Sequence, residues 1–284
     1  MINFTKRNLL VFFKDKASVF FSLLSVFIII GMYALFLGDV WSSGMQDVPN
    51  ARNIMDRWIV AGLIAVTSVT TTMGAFGTMV EDKSKKIIKD IHSSPMPRVS
   101  IAGGYIFSAF IIGVIMCVVA LLLCQLYLLS EGGVLFTGIQ FLKIFGLILL
   151  STFSNTALVL FFVSFFQSNN AFSIASTIIG TVIGFLTGIY IPIGQLPAGV
   201  QTVIKAFPPS HSALLLRQVI MEDGIKTGFA GAPADAVNGF KEMLGVSFTV
   251  GDKMVTPMTS ILILVASGIL FLGLSMLSLS RKKR

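Results

Sequence analysis

Residues 79–98, MVEDKSKKIIKDIHSSPMPR, are a charged island, and the fold follows from what flanks them. Trp58–Val80 precedes it and Val99–Leu129 follows it, both without a single Asp, Glu, Lys or Arg. A helix needs about 20 mostly apolar residues to cross the hydrocarbon core of a bilayer. Both flanks qualify, and four more runs of that kind occur at Ser18–Leu37, Ile139–Phe166, Ala171–Ile193 and Pro257–Leu279. With 55% hydrophobic and 12% charged residues, the chain carries more apolar surface than a soluble domain of 284 residues can bury. The pattern predicts an all-α integral membrane protein with six transmembrane helices in a single domain spanning 1–284.

Orientation follows from Lys and Arg, which short cytoplasmic loops retain. Lys6, Arg7, Lys14 and Lys16, then Lys83, Lys85, Lys86, Lys89 and Arg98, then Arg281, Lys282, Lys283 and Arg284 all fall on one side. The short loops of the other side hold only Arg52 and Arg57. Both termini are therefore expected in the cytoplasm. The net charge of +8 reads as a topology signal, not as a nucleic-acid surface. No short apolar core with a small-residue cleavage site begins the chain, so the N-terminus is expected to stay uncleaved.

Three non-spanning segments stand out. Residues 1–17 mix Phe4, Leu9, Leu10, Phe12 and Phe13 with basic residues, a composition suited to a helix lying in the membrane interface; an ordinary positive flank to the first span fits too. Over 81–93, Glu81–Lys85 and Asp82–Lys86 are spaced for i,i+4 pairing, and Ser84, Ile87, Ile88 and Ile91 share one helical face. Pro95 and Pro97 would end this short amphipathic helix, for which a solvated charged loop is the alternative. Near the fifth span, Gly180, Gly184 and Gly188 recur every four residues and predict a seam for close helix approach, within the chain or between two chains. Pro192, Gly194 and Pro197 then break the chain. A stripe of Val200, Val203, Ile204 and Phe207 follows, then Pro208-Pro209 and an apolar stretch, Leu214–Ile220, that contains Arg217. Helices too short to span, placed beside a membrane, are best buried as re-entrant elements over 194–256; a partly ordered loop is the alternative.

Several chemistries are missing. No GxxxxGK[ST] phosphate loop occurs, so energy from ATP would have to come from another chain. His92 and His211 are the only histidines and fall on opposite sides of the proposed membrane, which leaves no His-based dyad or metal site. Cys117 and Cys124 have no ligating neighbours and read as packing residues. No carboxylate lies mid-span, where ion-coupled transporters place one. Hydroxyl and amide groups at Thr67, Ser68, Thr70–Thr72, Ser151, Thr152, Ser154 and Asn155 are expected to satisfy helix backbones and neighbours.

Taken in order, the N-terminal segment, VEDKSKKIIKDIHSSPMPR after the second span, the glycine-rich fifth span running into YIPIGQLP, and FPPSH followed by Arg217 resemble type-2 ATP-binding-cassette (ABC) exporter permeases. The resemblance covers essentially the whole chain and implies a bacterial inner or plasma membrane protein. It implies two permease chains, identical or related, above two cytoplasmic ATP-binding subunits, which would carry the ATP and Mg; this chain itself would hold no cofactor and catalyse nothing. It makes 81–93 the coupling helix, with Glu81, Lys85, Lys86, Ile88 and Lys89 at the ATPase contact. It makes Pro192, Gly194, Pro197, Pro208, Pro209 and Arg217 parts of an outer gate. Apolar spans without buried charge, with Lys143 expected at the outer rim of the fourth, favour a hydrophobic or amphipathic cargo such as a drug, antibiotic, peptide or lipid. An ion-coupled transporter and a non-transporting sensor or immunity protein are the other classes, and 221–256 is longer and more polar than a minimal family member needs.

Overall fold

A computed structural model describes residues 1–44, 48–94, 96–251 and 253–281 of the chain. Helices dominate: α1 (Ile2–Lys14), α2 (Lys16–Met32), a π-helical turn (Tyr33–Leu37), α3 (Gly38–Ser43), α4 (Ala51–Ser84), α5 (Ile87–Ser93), α6 (Arg98–Ser130), α7 (Gly138–Val163), α8 (Asn169–Leu186), α9 (Ala198–Ala206), α10 (Pro208–Ile220), α11 (Glu222–Gly228), α12 (Ala234–Met243) and α13 (Pro257–Arg281). The only strands among the described residues form a small antiparallel hairpin, β1 (Thr249–Val250) with β2 (Lys253–Met254). Among the described residues, six helices are long and apolar enough to cross a membrane, as expected. The end of the bundle carrying α1 and α5 is called basal below, and the end carrying α9–α12 the cap.

The second span, α4, is the axis of the fold. Its most apolar window is 89% buried, against 22% for the first span and 11% for the fifth. At 1.5 Å per residue its 34 residues reach about 51 Å, well beyond a ~30 Å hydrocarbon core. It therefore starts seven residues before Trp58, and Arg57, expected in a short outer loop, is buried together with Asp56 at the cap end. Around it, α6, α7 and α10 pack a core that includes Trp58, Ile64, Phe76, Ile112, Cys117 and Ile148. Both cysteines are free and buried, as the packing reading expects. Thr67, Ser68, Thr71 and Thr72 return their hydroxyls to carbonyls three or four residues back, which spares the buried span four unmet donors.

Three helix boundaries differ from expectation. The first span is not uniformly α-helical, because the turn Tyr33–Leu37 is π. The fifth span ends at Leu186, seven residues early, because Gly188 adopts φ +67 and the Gly188 and Ile189 amides close back onto Phe185 and Gly184. The helix expected over 81–93 is two pieces: α4 runs on through Ser84, Lys86 turns left-handed at φ 63, and α5 starts at Ile87. Pro95 lies outside the described residues.

Candidate functional site

A groove runs along the face where the bundle is least covered. Its main part, about 870 Å³, has α2 on one wall (Ser18, Phe21, Ser22, Ser25, Ile28), α8 on the other (Phe172, Ser176, Thr177, Gly180, Thr181) and α4 as its floor (Val66, Thr70, Met73, Gly74), with no charged residue in the lining. The hydroxyls of Ser176, Thr177 and Thr181 donate to carbonyls of their own helix, so they soften the wall without demanding a partner. Tyr190 closes the cap end of the groove. Toward the base, a space of about 450 Å³ shares Phe12, Ser18, Gly74, Phe172 and Ser173 with it and opens between Asp15, Glu81 and Asn169. Glu81 is paired there with Lys85 at 2.5 Å, which holds the Lys85 ammonium above its usual range. The Asp15 carboxylate accepts from the Ser18 hydroxyl (2.6 Å) and from the amides of Ala17 and Ser18, so it stays below its usual range and caps α2.

At the basal end, the expected Asp82–Lys86 pair does not form. Asp82 faces inward from the last turn of α4, 2% exposed, and takes two hydrogen bonds from the Arg7 guanidinium (2.5 and 2.9 Å) and one from the Tyr105 hydroxyl (2.6 Å). One carboxylate thus ties α1, α4 and α6 together, four residues before Lys86. Lys85, Lys86 and Lys89 are exposed beyond it, while Ile87, Ile88 and Ile91 are half-buried. Glu81 belongs to α4, not to α5, so the residues expected on one helix present themselves from two.

The three glycines of the fifth span do not make one seam within the chain. Gly180 faces open space, Gly184 lies under the Tyr190 ring, and Gly188 ends the helix region in its left-handed conformation. Above them, Pro192 and Pro197 precede a 3-10 turn and α9, and Pro208 and Pro209 occupy the first turn of α10. Gly194 is pressed against Met243 of α12. Of the apolar stripe expected on α9, Ile204 is buried and Phe207 half-buried, but Val200 and Val203 are exposed. α10 is buried on nearly every side, and Arg217 within it is fully buried against the Trp58 ring, 5.1 Å from its centroid. The Trp58 indole N–H donates to the Leu244 carbonyl (2.8 Å), which fastens the cap to α4. His211 is also buried; its Nε2 meets the Lys205 carbonyl, which can only accept, so the proton sits there and Nδ1 accepts from Ser260.

The sequence model of the ABC-2 family transporter proteins matches residues 43–277. The chain belongs to that family. It is a membrane permease subunit of an ABC transporter, with six spans as the family resemblance implied. No curated protein matches the chain. In this ABC-2 permease, Asp82, Arg7, Tyr105, Trp58 and Tyr190 hold the site together in roles that pattern reading does not give them: spacing pairs Asp82 with Lys86, Arg7 reads as a topology signal and Trp58 as the start of a span. Tyr105 is not singled out at all, and Tyr190 stands out only within YIPIGQLP.

Proposed function

We propose that this ABC-2 permease is the transport half of an ATP-driven exporter and that the groove between α2 and α8 is its share of the pathway. The observation that carries the reading is the lining of that groove. It is apolar with self-satisfied hydroxyls, lacks any charge along its main length, and sits between the two least buried spans. Such a surface accepts an amphipathic or hydrophobic molecule without stripping an ion of its water. A second permease chain, identical or related, would face the same side and turn the two grooves into one pathway across a bacterial plasma membrane.

In this reading the basal end is cytoplasmic, α1 lies along the interface, and the ATP-binding subunit, which binds ATP and Mg, docks on the turn and helix over 81–93. Lys85, Lys86 and Lys89 offer it exposed charge, and Ile88 lies beside them. Closure of the ATPase pair would press on α5 and reach α4 and α1 through Asp82. Pro192, Gly194, Pro197, Pro208, Pro209 and Arg217 belong to the re-entrant cap that closes the far end. The test is to purify the tagged chain in mild detergent and identify what accompanies it. A stoichiometric phosphate-loop ATPase is expected, and changing Lys85, Lys86 and Lys89 to Glu should release it. Retention of the partner with unchanged ATP-dependent transport in that variant removes the docking role; a chain that purifies alone even after crosslinking removes the exporter reading.

A further inference from the structure

Arg217 carries a charge that its surroundings only partly answer. Its side chain is 0% exposed. Nη2 donates to the carbonyls of Thr187 (2.9 Å) and Gly188 (3.0 Å), at the C-terminal end of α8, where the helix dipole presents about half a negative charge. Trp58 covers the guanidinium with its ring face. Nε and Nη1 have no hydrogen-bond partner. Among the described residues, Tyr33 is the one ionisable side chain close enough for a charge on it to be felt at Arg217, and its neutral hydroxyl is likewise buried and unpartnered. Buried polar groups are almost always hydrogen-bonded, and buried charges are almost always paired. A water molecule would answer the hydrogen bonds but not the charge.

We infer that Arg217 and Tyr33 bind an anion, a halide, carboxylate or phosphate group that accepts from Nε, Nη1 and the Tyr33 hydroxyl. The site joins three elements: the π turn of the first span, the end of the fifth span and the buried cap helix α10. An anion there would hold the cap shut. Two sources share this chemistry: a small ion from solution, or the anionic head of an amphiphile in the groove. The groove ends at Ile28 and Tyr190, close in the chain to Tyr33, which follows α2, and to Thr187 and Gly188. The second source rests on the transport reading of the groove; the anion site itself does not.

Trp58 provides a direct reporter, since its ring touches the guanidinium and is 0% exposed. The chain holds two tryptophans, so Trp41→Phe leaves Trp58 alone. The full-length Trp41→Phe chain in phosphatidylcholine nanodiscs is titrated with sodium iodide against sodium gluconate at constant ionic strength. Iodide quenches a ring it sits beside, whereas acrylamide should barely reach a buried one. The expected result is a saturable loss of Trp58 emission with iodide, reversed by chloride, absent in Arg217→Gln and weakened in Tyr33→Phe. If Arg217→Gln fails to fold, Tyr33→Phe and the chloride competition carry the result. Displacement of iodide by dodecyl phosphate but not by dodecyl maltoside assigns the site to a cargo head group; displacement by chloride alone assigns it to a solution ion. Trp58 emission that neither iodide nor dodecyl phosphate alters, or iodide quenching unchanged in the variants, overturns the proposal.

Discussion

Gly184 sits so close beneath Tyr190 that a Cβ on its backbone would lie 2.2 Å from the ring. Tyr190 also packs edge-on to Phe185, at 5.0 Å between centroids. The glycine therefore serves an aromatic side chain of the same chain that folds back after the helix ends at Leu186. Gly184→Leu should displace Tyr190, open the cap end of the groove and lower the yield of folded protein. Adding Tyr190→Ala should restore much of that yield, as read by monodisperse size-exclusion recovery. A Gly184→Leu chain that purifies normally, or a double variant no better than the single, would show that the contact does not matter. Gly188 needs no such neighbour to be required, since its positive φ costs an L-residue about 1–2 kcal/mol.

At the scale of elements, α4 is held at both ends by the same chemistry. Asp56 and Asp82 are buried near its two termini, and each accepts a hydroxyl from α6, Tyr127 at 2.7 Å and Tyr105 at 2.6 Å. An arginine completes each cluster: Arg7 for Asp82, and for Asp56 Arg52, which also meets Asp39, Glu131 and the Tyr33 carbonyl. The two carboxylates are about 39 Å apart along the helix, so both fall outside a ~30 Å hydrocarbon core while the charge-free middle lies within it. Losing a hydrogen bond to a buried carboxylate costs about 2 kcal/mol. Tyr105→Phe should therefore loosen α1, seen as faster amide hydrogen exchange over Phe4–Phe12, and leave the cap unchanged. Tyr127→Phe should do the reverse. Equal exchange in both variants would mean that packing alone holds these ends.

For the whole molecule, the uneven burial of the spans sets the question of assembly. Ile174, Ile178, Val182 and Phe185 leave one long face of α8 exposed, and Phe20, Phe21, Phe27 and Ile28 do the same on α2. Lipid can cover apolar faces, but the hydroxyl groups of the groove between them favour a protein or a cargo opposite. We expect Thr181→Cys, in a chain with Cys117 and Cys124 changed to Ser, to form a disulfide between two permease chains under mild oxidation. An exposed Ile139→Cys on α7 serves as the control that should not crosslink. Crosslinking at Ile139 and none at Thr181 would put the second chain elsewhere.

The six spans were legible because the bilayer imposes a length and a composition on each crossing, and residues 79–98 stand out as charge between two uncharged runs. The two-piece nature of 81–93 was not legible: whether a helix continues through Lys86 depends on a left-handed turn, and Asp82 could pair with Lys86 by spacing alone. Its true partner, Arg7, lies 75 residues away and meets it only because α1 packs across α4 and α6. The same holds at the cap, where a repeat of glycines read as a seam makes none within the chain: one faces open space, one is a bed for Tyr190 and one ends the helix region. Sequence alone determined the membrane fold and the family, since both rest on local hydropathy and on motifs kept in order along the chain. Only the tertiary structure decided where Arg217, Asp82 and the groove lie, because buried charge and cavity shape arise from residues far apart in sequence that packing brings together.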